Sequence, residues 1–142
     1  MKNVGAAAFI TDDRGRVLLV KHTYGRLNWE LPGDAGEPNE SPVETAIREV
    51  EEETGLVVEA RYTTGSYYSS ENDSLHFVFW CTSKNPDADP FPDNDEISAR
   101  DFFSIKNLPR PISDWTLRRI KDADEGNLSQ VTLTIGPRVW LE

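Results

Sequence analysis

The stretch SPVETAIREVEEETGL, residues 41–56, carries the clearest structural pattern in the chain. Ser41 followed by Glu44 is typical of a capping box, in which each side chain binds the other residue's backbone amide at the start of a helix. Pro42 is tolerated at the first helical position, and Gly55 is a residue type that ends helices. The stretch therefore predicts a helix that begins at Pro42 and ends just before Gly55.

Two stripes of side chains run along this helix at the spacing of its turns. The apolar stripe is expected to face a core, and the acidic stripe lies beside it. Because the acidic side chains converge with no cation between them, they repel one another, and a bound cation would offset the repulsion. A cluster of oxygen ligands suits Mg²⁺ or Mn²⁺; the alternative is an acidic face that is only solvated. The apolar stripe consists of Val43, Ala46, Ile47, Val50 and Thr54, and the acidic stripe of Glu49, Glu52 and Glu53.

The rest of the chain alternates short apolar runs with turns. The turn at 12–15 is expected to join the first two strands into a hairpin, and residues 23–40, rich in Gly and Pro, to form a loop. A second loop is expected at 84–96 and a second helix at 113–125. This order indicates one helix-covered mixed sheet in a single domain over residues 1–142. Strands are expected at 4–10, 16–22, 56–64, 66–70, 75–82, 97–104 and 131–135.

Composition excludes several classes of function. The 142 residues carry a net charge of −10, and such a surface repels phosphate backbones and anionic lipids, which argues against general nucleic-acid binding and against membrane docking. No apolar run reaches the length of a membrane span, and residues 4–10 are better explained as a first strand than as a signal peptide. We therefore expect a cytoplasmic protein. The single cysteine, Cys81, lies in the apolar run LHFVFWC and is predicted to be a core residue.

Residues 33–56 resemble the Nudix box, G-x5-E-x7-R-E-U-x-E-E-x-G-U, in which U is a bulky aliphatic residue. The chain matches eight of the nine defined positions. Its flanks agree as well: WELPG at 29–33 resembles the segment that leads into the box, and DEI at 95–97, FF at 102–103 and LP at 108–109 resemble the family's tail. The resemblance therefore covers most of the chain. The matching box positions are Glu40, Arg48, Glu49, Val50, Glu52, Glu53, Gly55 and Leu56.

One box position departs from the family pattern. Asp34 stands where the family has glycine. Glycine there permits a positive φ angle, which Asp tolerates better than most residues, so we expect the loop to remain competent. The Asp34 carboxylate would also lie near the metal ligands, where it either adds a ligand or disturbs the site.

The resemblance implies an α/β protein with the Nudix α/β/α sandwich, a mixed sheet and a catalytic loop–helix. It implies hydrolysis of a nucleoside diphosphate linked to another group, with Mg²⁺ or Mn²⁺ as cofactor and Glu40 and Arg48 as a structural ion pair. The general base is Glu49, Glu52 or Glu96, a choice that the sequence leaves open, and Glu96 could instead be a solvated loop acid. The implied metal ligands are Gly33, through its carbonyl, and Glu49, Glu52, Glu53 and Glu96.

The substrate is less defined than the reaction. The motifs that mark Nudix enzymes for NADH, ADP-ribose, dinucleoside polyphosphates and coenzyme A are not matched, which favours a MutT-like group acting on nucleoside triphosphates or small nucleotide conjugates. Tyr24 and Trp29 are candidates to stack on the base, with Tyr67 and Trp80 as further candidates. The expected partner is a small nucleotide, and a homodimer is left open. The alternative is a Nudix-fold nucleotide-binding or regulatory module that has lost activity through Asp34.

Overall fold

The computed structural model describes residues 2–85, 94–126 and 133–142. Within these residues the chain forms two helices and ten strands. In chain order they are β1 Asn3–Ile10, β2 Val17–His22, β3 Trp29–Glu30, β4 Gly33–Ala35, α1 Pro42–Thr54, β5 Val58–Ser69, β6 Ser74–Ser83, β7 Ile97–Phe103, β8 Ile112–Ser113, α2 Asp114–Glu125, β9 Leu133–Ile135 and β10 Trp140–Leu141.

The strands form two five-stranded sheets, where the sequence predicted one. Sheet A has the order β4-β1-β6-β5-β9 and is mixed, because β1 pairs with β6 in parallel and with β4 in antiparallel orientation. Sheet B has the order β10-β8-β3-β2-β7. Helix α1 packs against β1 and β4, and α2 packs against β5 and β8. The α/β class with a mixed sheet is thus confirmed, and the number of sheets is corrected.

The turn after β1 is present, but the predicted hairpin is wrong. Asp12 accepts a hydrogen bond from the Arg16 amide at 2.9 Å, and Gly15 takes a φ of 75°. Beyond one bridge between Thr11 and Val17, β1 and β2 separate into different sheets. They separate because both hydrogen-bonding edges of β1 are already occupied, by β4 and by β6.

Helix α1 begins and ends where the sequence predicts. Ser41 Oγ accepts from the Glu44 amide at 3.2 Å, the Glu44 carboxylate accepts from the Ser41 amide at 3.1 Å, and Gly55 has a φ of 76°. The expected apolar stripe needs one correction: Val43 is 39% exposed, and Thr45, at 1%, takes the buried place in the first turn.

Strand β1 separates two cores because its side chains alternate between its faces. Ala6, Ala8 and Ile10 pack in the core that α1 covers, whereas Ala7 and Phe9 pack in the core that includes Ile120 of α2. Cys81 is buried in the first of these cores, as predicted.

Two segments differ from the expected pattern in ways that matter for the site. The loop expected at 23–40 contains β3 and β4, because its backbone groups pair with neighbouring strands of both sheets. The strands expected at 56–64 and 66–70 are one strand, β5, whose register shifts between Thr63 and Gly65. Of the loop expected at 84–96, residues 86–93 lie outside the described residues. Of the strand expected at 131–135, residues 131 and 132 do, and residues 133–135 form β9.

Candidate active site

Gly33 fixes the start of the loop–helix segment against sheet A. Its φ is 153°, a value that residues with a side chain rarely adopt. It pairs with Ala7 of β1, and a Cβ atom placed on it would overlap the Ala6 carbonyl oxygen and lie 2.5 Å from Ala7 Cα. Only glycine therefore permits the close approach of β4 to β1 at this position.

Asp34 occupies an ordinary strand position, which corrects the expectation of a positive φ angle. It lies in β4, opposite Ala6 of β1, and the positive-φ residue of this segment is Gly33. The positive φ angle falls on Gly33, one residue before Asp34, because residues 33–35 pair with β1 as strand β4. Asp34 therefore carries no left-handed strain, and its exposed side chain lies where its charge acts on Glu49 and Glu53.

Glu53 is a buried carboxylate that joins the helix to the strand. Its side chain comes from the last turn of α1, is 4% exposed, and accepts a hydrogen bond from the Gly33 amide at 2.9 Å. Burial, followed by the charges of Glu49 and Asp34, raises the pKa of Glu53 to about 9 although the Gly33 hydrogen bond lowers it. With this pKa the carboxyl is largely protonated at neutral pH, and in the described part of the chain it has no ion-pair partner that would favour its charged form.

Arg48 lies between Glu49 and Glu52, so the expectation that no cation separates the acidic side chains is wrong for this pair. The Arg48 Nη1 atom is 2.7 Å from Glu49 Oε1 and 3.2 Å from Glu52 Oε2. The side chain of Glu49 is 12% exposed, and that of Glu52 is 49% exposed. The pKa of Glu49 is raised chiefly by burial, with like-charge repulsion a smaller cause, and Arg48 opposes the shift.

The same arginine also contacts Glu40. Arg48 Nε lies 2.7 Å from Glu40 Oε2, and this contact, together with a 2.6 Å hydrogen bond from Thr45 Oγ1, lowers the pKa of Glu40 to about 2. The Glu37 carboxylate lies 3.8 Å from Arg48 and is a contact that the sequence reading did not include. The sequence places Glu37 only three residues before Glu40, and this spacing indicated that both carboxylates could reach the same arginine.

Tyr24 and Glu96 lie on the sheet B side of the site. The Tyr24 ring stacks on His22 with centroids 4.7 Å apart, and the residue is 49% exposed. Burial and the nearby charges of Asp34, Glu30, Glu96 and Glu53 raise the pKa of Tyr24 to about 12. The charges of Asp34 and Glu53 thus act on Tyr24, which places Tyr24 near the loop–helix segment. Glu96 itself is exposed, and its carbonyl accepts from the Thr23 amide at 2.9 Å.

The remaining aromatic candidates lie in or against the packed interior. Trp29 meets Phe103 edge to face, with centroids 4.9 Å apart, and packs against the core of α2. Tyr67 is 1% exposed and donates to Asp122 at 2.7 Å, so it has no free face for a base. Trp80 stacks on Tyr62 with centroids 5.2 Å apart.

The donor set has the chemistry that a hard divalent ion requires. Carboxylate and carbonyl oxygens suit Mg²⁺ and Mn²⁺, and the buried Glu53 carboxyl has no cationic partner in the described residues. The arrangement is not preformed, however. Within residues 2–85, 94–126 and 133–142, no three His, Cys, Asp or Glu side chains gather in a way that could hold a metal ion. Glu49 and Glu52 hold Arg48 instead.

Comparison with known proteins agrees with this geometry. The NUDIX domain family matches residues 1–123. A MutT-like protein of Streptomyces ambofaciens is 32% identical in an alignment of length 118 that covers 76% of this chain and 76% of the other. A solved NUDIX hydrolase from Nitrosomonas europaea is 28% identical, with a TM-score of 0.71 over 89% of this chain and 90% of the other. An ADP-ribose pyrophosphatase from Streptococcus suis shares the fold, with a TM-score of 0.71 at 23% identity over 95% of this chain and 98% of that one. No helix in the described ranges is long and apolar enough to cross a membrane. The sequence match and the shared fold agree, and the chain belongs to the Nudix hydrolase family.

Proposed function

We propose that this Nudix hydrolase cleaves the diphosphate bond of a nucleoside triphosphate or a small nucleotide conjugate, with Mg²⁺ or Mn²⁺ as its cofactor. The observation that carries the proposal is the buried Glu53 carboxylate, which is tied to Gly33 and has no counter-charge. A buried carboxylate is costly unless a cation compensates it, and a divalent ion at the loop–helix junction would supply that charge.

The residues proposed to hold the ion are those that the family resemblance implies: the Gly33 carbonyl, Glu49, Glu52, Glu53 and Glu96. When bound, such an ion neutralises phosphate oxygens and lowers the pKa of water. Arg48 contacts Oε1 of Glu49 and Oε2 of Glu52, within 3.2 Å of both, so each carboxylate can offer its other oxygen to the ion while Arg48 stays in place. Arg48 also keeps Glu40 as a partner.

The proton from the attacking water goes to a carboxylate of this chain. Glu49, Glu52 and Glu96 remain the candidates for this base. Glu49 combines partial burial with a raised pKa, and a raised pKa brings a carboxylate closer to the range in which a general base works best. Tyr24 offers an exposed ring beside the site for stacking on a base.

The test is a panel of nucleoside triphosphates and nucleotide conjugates in Mg²⁺, in Mn²⁺ and in EDTA, with the nucleotide and phosphorylated products separated and quantified by chromatography. We expect hydrolysis only with metal. Glu53→Gln should lower kcat by about two orders of magnitude, the scale of losing a central electrostatic group. Glu51→Gln is the matched control, because Glu51 is an exposed acid on the same helix, and it should keep wild-type activity.

The alternative is a Nudix-fold binding or regulatory module disabled by Asp34. This alternative would be supported if the wild-type protein hydrolysed no nucleotide of the panel while the Asp34→Gly variant did. The ordinary strand conformation of Asp34 argues against this alternative, because the residue does not distort the loop.

A further inference from the structure

A small cavity adjoins the start of the loop–helix segment at Gly33 and Asp34. Its volume is about 80 Å³, and it reaches from Gly33 and Asp34 to Arg119 of α2. Arg138, His76 and the Glu30 carboxylate are the other polar residues of its wall, so two arginines and two acids, Glu30 and Asp34, face the cavity. Because a water molecule takes about 30 Å³ in the liquid, the cavity has room for one phosphate or carboxylate group but not for a whole nucleotide.

Arg119 is the unusual residue of this wall. It is 8% exposed, and in the described structure its Nε and Nη2 atoms are buried without a hydrogen-bond partner. Its guanidinium lies 5.4 Å from the Tyr67 ring and 5.9 Å from the Trp115 ring. These two nitrogens lie on the same edge of the guanidinium, the edge that binds two oxygens of one anion side by side.

None of the acidic residues near Arg119 forms an ion pair with it in the described structure, although Glu30 and Asp34 line the same cavity. Asp122 accepts from Tyr67 at 2.7 Å and from Arg118 at 2.9 Å. Glu30 lies 3.7 Å from Arg138 and 3.7 Å from His22. The charge of Arg119 therefore has no carboxylate in direct contact, and an unpaired buried cation is destabilising.

We propose that Arg119 is the anion-binding residue of a substrate subsite in this cavity, where it takes an oxyanion of phosphate or carboxylate type. The proposal rests on the proposed function and narrows it to substrates that can place such a group beside Gly33. The oxyanion belongs either to the diphosphate that is cleaved or to the group linked to it. Arg138, on the same wall, adds a second positive charge.

The first experiment uses the metal-free protein in EDTA, so that its result does not depend on hydrolysis. Binding of inorganic phosphate and of pyrophosphate is measured by calorimetry and by the shift in Tm. Arg119→Met should weaken binding at least about tenfold, as expected for a lost charge-assisted hydrogen bond. Arg119→Lys, which keeps the charge but loses the paired donors, should bind more weakly than wild type. The matched control is Arg14→Met, because Arg14 is exposed on the β1–β2 turn and does not line the cavity.

The Tm without ligand separates a binding role from a packing role. If Arg119 is an unpaired cation kept for binding, Arg119→Met should have a Tm equal to or above that of wild type. A lower Tm with unchanged anion binding would assign Arg119 to packing against Tyr67 and Trp115 and would overturn the proposal. Absence of phosphate and pyrophosphate binding by wild type would overturn it as well.

The second experiment identifies the source of the oxyanion. KM is measured for two substrates that share a nucleoside diphosphate, one linked to a neutral sugar and one to the same sugar bearing a phosphate. An equal rise in KM for both in Arg119→Met assigns the oxyanion to the cleaved diphosphate, and a rise only for the charged sugar assigns it to the linked group. No rise for either contradicts the proposal. Failure of wild type to hydrolyse any nucleotide would instead contradict the proposed function, since the metal-free binding result stands by itself.

Discussion

Replacing Gly33 with alanine tests whether the site depends on the close approach of β4 to β1. The φ of 153° at Gly33 costs about 1–3 kcal/mol for a residue with a side chain. The added Cβ would overlap the Ala6 carbonyl oxygen, and such overpacking costs about 1–3 kcal/mol more. The expected loss of unfolding free energy is therefore about 2–6 kcal/mol, or about 6–24 °C in Tm for a domain of this size.

The assay is chemical and thermal unfolding of Gly33→Ala beside Gly15→Ala. Gly15 is the matched control, because its φ of 75° is also positive but nothing lies within 4 Å of a Cβ placed there. The control should lose only the conformational term, about 1–2 kcal/mol. If Gly33→Ala is no less stable than Gly15→Ala, the close approach at β4 does not constrain the loop and the reasoning is refuted.

Three further predictions concern the site and its surroundings. Glu53→Gln should leave Tm equal or higher in EDTA, because the neutral amide takes the place of a buried carboxyl that is costly to ionise, and an oxygen remains for the Gly33 amide. Mg²⁺ should raise the Tm of wild type but not of the variant; equal Mg²⁺ responses would exclude Glu53 as a ligand. Asp34→Gly should keep kcat within about tenfold of wild type and lose about 0.5–1 kcal/mol of stability, since glycine weakens a strand; a gain in stability would mean that Asp34 is strained. Burial, and then the charges of Arg119 and Arg138, lower the pKa of His76 from 6.5 to about 4. Because this folded pKa lies below the unfolded one, stability present above pH 6.5 should be lost as the pH falls toward 4, and His76→Gln should lose less of it in urea unfolding measured across that range; coincident pH profiles would contradict the assignment.

The sequence predicted what depends on local patterns. Helix α1 follows from Ser41, Pro42 and Gly55, whose effects act within a few residues, and the burial of Cys81 follows from its apolar run. The division into two sheets could not be predicted in this way, because the pairing of β1 with β4 and β6 depends on residues distant in sequence. The same holds for Gly33, whose conformation is set by contact with Ala6 and Ala7.

The contacts of side chains within the site were harder to predict from the sequence than the helix and its ends. The spacing of the glutamates indicated convergence but not that Arg48 would lie between Glu49 and Glu52, because a long arginine can reach several acids of one helix face. Arg119 was missed for a different reason. It lies one turn after Trp115, on the same helix face, and Trp115 is buried. An arginine one turn from a tryptophan was a signal that the sequence contained.

The cavity beside Gly33 has a consequence for how such a protein can change its preference. The residues proposed for hydrolysis lie on β4 and α1, in the first half of the chain, except for Glu96. The arginines of the cavity wall lie on α2 and beside β10, near the other end of the chain. The arginines proposed to bind the oxyanion and the residues proposed for hydrolysis thus lie close in space, although they come from separate parts of the sequence. Substitutions in residues 114–142 are therefore expected to change substrate selectivity while the residues proposed for hydrolysis stay unchanged. This segment is the region to diversify in a search for new substrates.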